Sequence, residues 1–154
     1  ISLNMNIKSV MSHEFTQLVR LLSPSQREKI IIEIHCVDLI SDPGAFQFAH
    51  AYLSNIGFEL ALDGTDIFSF PEFARHDVGF HYVKLGWDEA LEGELTLSDL
   101  QRLDKAVRQL GSEKVILCHC GTARAMEFGH QVGVYNFQGR HIDELLNPSL
   151  RRQN

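Results

Sequence analysis

Six short apolar stretches alternate with segments of helical periodicity, and that rhythm constrains the fold of this chain more than any other feature. The stretches are Ile1–Asn6, Lys29–Cys36, Phe58–Asp63, Phe80–Gly86, Lys114–Cys120 and Val134–Gly139. Alternation of this kind predicts parallel strands joined by crossover helices. The near-continuous apolarity of Ile30-Ile31-Ile32-Glu33-Ile34 marks a strand covered on both faces. Phe15, Leu18, Val19 and Leu22 share one helical face, with Ser12 placed to cap it, and Ser23-Pro24-Ser25 breaks the chain beyond. Asp42-Pro43 pairs an N-cap with a proline at the first helical position. It opens a helix that turns Ala45, Phe48, Ala49, Tyr52, Leu53 and Ile56 to one side and stops at Gly57. Thr96 with Asp99 reads as an acidic capping box for a helix carrying Leu100, Leu103, Val107 and Leu110 inward as far as Gly111. A shorter helix covers Thr122 to about Gln131, and Pro148–Asn154 reads as a tail, leaving residues 1–147 as one domain.

Strand ends are where chemistry gathers in parallel α/β folds. Here they carry Asn4, Glu33, Asp63, Lys84, Cys118 and Gln138, which form one candidate site drawn from the whole chain. Alternation puts Tyr82, Lys84 and Gly86 on one face, and Glu59, Ala61 and Asp63 on another. A lysine within a strand buried on both sides is costly unless its amine meets an acid or a phosphate. Each position also has a plainer reading. Asn4 and Gln138 can serve as strand-end hydrogen bonders, Glu33 with Lys84 as an ion pair, and Asp63 as a turn former before Gly64.

Composition narrows the classes. A net charge of −6 without a basic cluster argues against nucleic-acid binding. No apolar run reaches the roughly 20 residues of a spanning helix, and no signal peptide is visible. Three cysteines do not make a disulfide framework and suggest a reducing, cytoplasmic setting. A chain that opens directly on a strand-like Ile1 reads as a piece of something longer.

In order and spacing, Ser2-Leu3-Asn4-Met5-Asn6, Ile32-Glu33-Ile34, Ala61-Leu62-Asp63, Val83-Lys84-Leu85, Val115-Ile116-Leu117 and Phe137-Gln138-Gly139 resemble the EAL domain. That family hydrolyses cyclic di-GMP on a TIM-like barrel with two divalent metals. The resemblance implies an α/β fold, a parallel (βα) TIM-like barrel left incomplete at about six strands. It implies that Asn4 and Glu33 correspond to metal ligands and Asp63 to the first aspartate of a pair. It further implies that Lys84 corresponds to the lysine positioning the attacking water, and Gln138 to the residue closing the site.

The departures are as informative as the matches. Gly64 stands for the second aspartate, Gly86 for the acid after the lysine, and Cys118 and Gly121 for two late glutamates. The strand bearing the Glu-Ala-Leu motif, with its arginine, is absent. Two-metal hydrolysis needs carboxylates to hold cations about 3.5–4 Å apart, and hard ions such as Mg²⁺ want oxygen ligands. The expectation is therefore a pseudoenzyme without a cofactor, with Mg²⁺ or Mn²⁺ expected only for an active site. It would work as a protein-interaction or regulatory module in bacterial cyclic di-GMP signalling, through a protein partner or companion domain.

The alternatives are a cyclic di-GMP receptor that does not cleave, an active phosphodiesterase, and a metal module built on Cys118 and Cys120. On a strand those cysteines share a face with His119 opposite, and His35-Cys36 could add ligands, yet structural zinc normally wants four ligands with loop-like spacing. Open sheet edges also suggest a homodimer or domain exchange for a fragment standing alone.

Overall fold

The computed structural model describes residues 1–76, 79–91 and 93–147. The described residues form two compact units, the first being Ile1–Gly64 with Gly79–Tyr82 and the second the remainder.

The first unit contains β1 (Ser2–Asn4), β2 (Ile31–His35) and β3 (Glu59–Thr65, its last residue in the second unit), with helices α1 (Ile7–Val10), α2 (His13–Leu21), α3 (Pro24–Arg27), α4 (Cys36–Ser41) and α5 (Pro43–Asn55) between them. The strands are parallel and follow chain order. Asn4 lies opposite Glu33, Glu33 opposite Ala61, and His35 opposite Asp63. Both faces of β2 are covered: Ile32 and Ile34 are fully buried on one, Glu33 is buried on the other. The expected caps form, with Asp42 Oδ1 accepting from the Ala45 amide at 2.9 Å and Ser12 Oγ from the Phe15 amide at 3.2 Å.

Two helix faces differ from the sequence reading. In α5 the buried row is Phe46, Ala49 and Leu53, while Phe48 is 62% exposed. Two residues along a helix turn the side chain through about 200°, so Phe46 and Phe48 cannot both face inward. In α2, Phe15 and Val19 are buried and Leu18 is exposed. Ser23-Pro24-Ser25 is also more than a break. The Ser23 amide donates to Gln26 Oε1 at 2.8 Å and opens the short helix α3.

The second unit holds β4 (Tyr82–Gly86, from Val83 on), β5 (Val115–Cys118) and β6 (Asn136–Phe137), again parallel and in chain order. Its helices are α6 (Phe70–Arg75), α7 (Leu97–Leu110), α8 (Ala123–Gln131) and α9 (Arg140–Leu146). The capping box at α7 is present, with the Thr96 amide on Asp99 Oδ2 at 2.9 Å and the Asp99 amide on Thr96 Oγ1 at 3.2 Å. Leu103, Val107 and Leu110 bury the inner face of α7.

The strands are shorter than the apolar stretches except for β3, which runs on to Thr65. His81 falls outside β4 and meets β3 by a donated amide bond to the Leu60 carbonyl and an accepted one at Nδ1 from the Leu60 amide. β5 stops at Cys118 because His119 adopts a left-handed backbone (φ 64°). Cys120 therefore leaves the strand, which corrects the reading that it shares a strand face with Cys118. Helix α9 was not anticipated, and the tail Pro148–Asn154 lies outside the described residues.

The parallel βα architecture read from the alternation is thus the one observed. Six strands among the described residues are two fewer than the eight of a closed (βα)₈ barrel. None of the described helices is long and apolar enough to cross a membrane.

Candidate functional site

The six positions read as strand ends divide between the units, Asn4, Glu33 and Asp63 in the first and Lys84, Cys118 and Gln138 in the second. The strands run on past three of them: Glu33 and Lys84 are the middle residues of β2 and β4, and Asp63 lies two residues before the end of β3. On the first rim Asn4 is exposed, Asp63 half-buried and Glu33 buried. Asp63 Oδ1 accepts from the Gly64 amide at 2.8 Å, the turn-forming bond expected of an aspartate there. Gly64 itself has φ +79°, a conformation that glycine adopts freely.

The space beside Gly64 is taken. A Cβ on Gly64 would come within 2.7 Å of His35 Cδ2 and closer still to Cε1 and Nε2. The imidazole is held there by local chemistry. His35 is the N-cap of α4, its Nδ1 accepting from the Val37 amide at 3.2 Å, and Cys36 Sγ donates to the Gly64 carbonyl at 3.1 Å. The ring of His35 therefore stands where a side chain at position 64 would have to begin.

On the second rim Lys84 is buried, and its carbonyl accepts from Thr65 Oγ1 at 2.6 Å. Gly86 lies opposite Cys118 in the ladder. A Cβ on Gly86 would come 3.1 Å from the Thr65 carbonyl oxygen and 3.8 Å from His119 Nδ1. Cys118 Sγ reaches Gln138 Oε1 at 3.5 Å, so two predicted site residues do meet. Gln138 is exposed, and its backbone ties the rim together by donating to Leu117 at 2.8 Å and accepting from Cys120 at 3.1 Å.

Three residues were missed as neighbours of the vacated positions. The sequence offers His35 only as a zinc ligand, although its place two residues after Glu33 puts it on the same strand face. Strand alternation points His119 away from the cysteine face, yet its ring lies beside Gly86. The third is Glu89, whose Oε1 lies 3.7 Å from where a Gly121 Cβ would sit and accepts from Thr122 Oγ1 at 2.7 Å. Glu89 opens the tripeptide Glu89-Ala90-Leu91, but this is a 3₁₀ turn after β4 and not the strand-borne motif.

The donors present do not fit a dinuclear hard-metal centre. Positions 64 and 86 offer backbone only, and at 64 an imidazole fills the side-chain space. Among the described residues no three His, Cys, Asp or Glu side chains converge on a common point. The cysteines are turned to other work: Cys120 Sγ donates to the Leu117 carbonyl at 3.3 Å, and burial pushes its thiol pKa up, opposed by the Gln138 backbone bond. A thiol so placed resists becoming the thiolate that zinc binds.

Comparison with known proteins bears on the fold. No family model and no curated protein matches the sequence. Solved structures do match. Bacillus subtilis YkuI, a protein with an EAL domain in complex with cyclic di-GMP and calcium, aligns over 98% of this chain and 41% of its own, with 15% identity and a TM-score of 0.68. The S helix-GGDEF-EAL portion of Vibrio cholerae LapD aligns over 92% of this chain and 36% of its own, at 17% identity and TM-score 0.67. The Xanthomonas citri FimX EAL domain, in complex with cyclic di-GMP, aligns over 90% and 56%, at 14% identity and TM-score 0.68. This chain therefore has the parallel βα fold of EAL-domain structures, and spans well under two thirds of the length of those chains.

Proposed function

We propose that this chain is a non-hydrolysing EAL-type module of bacterial cyclic di-GMP signalling that acts through a protein partner or a companion domain. The observation that carries this reading is the His35 ring seated against Gly64. At that position a hydrolytic site of this fold needs a second carboxylate for its metals, and here an imidazole occupies the room. The glycines at 86 and 121 support the same reading, since neither can hold a cation. No cofactor is needed for such a role. The net charge of −6 fits a protein-facing module better than a nucleic-acid binder, and a reducing cytoplasm suits the free cysteines.

A second reading, a receptor that binds cyclic di-GMP without cleaving it, is favoured by the exposed Gln138 on its rim. Calorimetric titration with cyclic di-GMP, with and without Mg²⁺, tests both readings alongside an assay for the linear dinucleotide. The proposal expects no linear product under either condition. Hydrolysis overturns it, and tight binding without product selects the receptor.

A further inference from the structure

Strand β1 is bare where a parallel strand is normally covered. All-parallel sheets bury both faces, yet Ser2, Leu3 and Asn4 are all exposed, and β1 stands at one end of the strand order. Its Ile1 carbonyl and Met5 amide bond to β2. Alternation therefore turns the backbone N–H and C=O groups of Ser2 and Asn4 outward. Among the described residues no strand takes them up. Proteins usually blunt such an edge with lysine, proline or a bulge. Ile1-Ser2-Leu3-Asn4-Met5 has no charged side chain, proline or glycine, and its register with β2 is regular.

The bare edge continues onto α2. Phe15 of α2 meets Phe58, which shares one sheet face with Leu60, Ile32 and Leu3, so α2 lies on the Leu3 side. Phe15 and Val19 form the buried row of α2. At about 100° per residue, Leu18 and Leu21 fall on one flank of that row, Thr16 and Arg20 on the other. The crossover from β1 through α2 to β2 joins parallel neighbours and is right-handed by rule. That hand turns the Thr16 flank toward α5 and the Leu18–Leu21 flank to the open side beyond β1. Ile1, Leu3, Leu18 and Leu21 are 87%, 36%, 41% and 81% exposed.

We propose that this face pairs with a second copy of the chain about a two-fold axis normal to the sheet. β1 runs antiparallel to its mate. Ser2 exchanges both backbone bonds with Asn4 of the partner subunit, and Leu3 lies across from its own equivalent. The same rotation packs the helices. Paired strands lie about 4.8 Å apart, and a crossover helix sits over the gap between the strands it joins, about half that spacing beyond β1. The two α2 axes then lie roughly 10 Å apart, which is the spacing of packed helices. One operation thus closes strand edge and helix flank together. The four apolar side chains expose on the order of 400 Å² per copy, about half of the roughly 800 Å² a stable interface takes from each partner. The outward backbone, with Ser2, Asn4 and Glu14, supplies the polar remainder. The proposal does not rest on the cyclic di-GMP reading, since of the candidate site residues it involves only Asn4.

Sedimentation velocity of the 154-residue chain from about 1 to 100 μM tests it. The expected result is a species of twice the 17.5 kDa chain mass that dissociates on dilution. Ser2→Pro removes one outward N–H and spares the bonds to β2, because proline is tolerated on an edge. Leu21→Glu puts a charge on the apolar flank. Each should raise the dimer dissociation constant about tenfold or more. Phe48→Glu, at an exposed apolar position of α5 outside this face, should leave it unchanged. Thermal midpoints establish that the variants fold. A chain that is monomeric at about 100 μM overturns the proposal. So does a dimer that neither Ser2→Pro nor Leu21→Glu weakens, or one that Phe48→Glu weakens as much as they do.

Discussion

Substituting alanine at Gly64 tests whether the His35 ring truly fills that side chain's place. Two costs arise in the parent background. Holding a non-glycine residue at φ +79° costs about 1–3 kcal/mol. The new Cβ also falls within 2.7 Å of His35 Cδ2, so the ring must swing away and forfeit the 3.2 Å bond from the Val37 amide. A lost N-cap bond of this kind costs about 1 kcal/mol. Gly64→Ala should therefore destabilise by about 2–4 kcal/mol. His35→Ala alone should cost about 1 kcal/mol, from the same cap.

In the double variant there is no ring to displace, so only the backbone strain and one lost cap remain. The double should then cost about 1 kcal/mol less than the sum of the singles. Urea unfolding of the four proteins measures this, provided the m-values agree. Additivity within about 0.5 kcal/mol would refute the reasoning, because it would mean that the imidazole and the position-64 side chain do not compete for space.

Other glycines separate backbone collisions from mere conformational preference. At Gly139 a Cβ would lie 2.5 Å from the Cys120 amide nitrogen and 2.6 Å from its carbonyl oxygen, and backbone cannot step aside as a side chain can. Gly139→Ala should lose more than about 3 kcal/mol or fail to fold, whereas Gly57→Ala, with φ +89° and open space around it, should cost about 1 kcal/mol, both read from thermal midpoints. Acid should weaken the turn before α6. The Ser69 backbone amide, helped by the Ser69 hydroxyl and the Phe68 amide against partial burial, holds the Asp66 carboxyl below its ordinary range. A lowered folded-state pKa gives stability that is present above the unfolded value and is lost as pH falls through the folded one. A thermal-midpoint series in acid should show that loss, and Asp66→Asn should remove this part of it; an unchanged acid slope in the variant counts against the assignment.

Much of this molecule is written in short-range pattern. Ser12, Asp42 and Thr96 each bond an amide three residues on, so their roles as helix starts follow from local spacing alone. The order of apolar stretches was enough for the parallel sheet, because a βα alternation leaves few other ways to bury strands on both faces. Asn4 and Gln138 fall at or just past strand ends for the same reason, whereas Glu33 and Lys84 lie in the middle of their strands and Asp63 two residues before the end of β3. Apolar pattern does not fix a helix face by itself. Phe46 and Phe48 are equally apolar, and only packing decides which goes inward.

What tertiary structure alone decided is what fills the vacated positions. Nothing near Gly64 in sequence indicates that His35, some thirty residues earlier, lays its ring there, nor that Glu89 settles beside Gly121. The left-handed turn at His119, which ends β5 and takes Cys120 off the strand, is equally invisible in an apolar pattern. Periodicity encodes which face of an element is buried, within a few residues. Which side chain from a distant strand or turn occupies a given gap depends on register and close packing, and these exist only once the chain has folded.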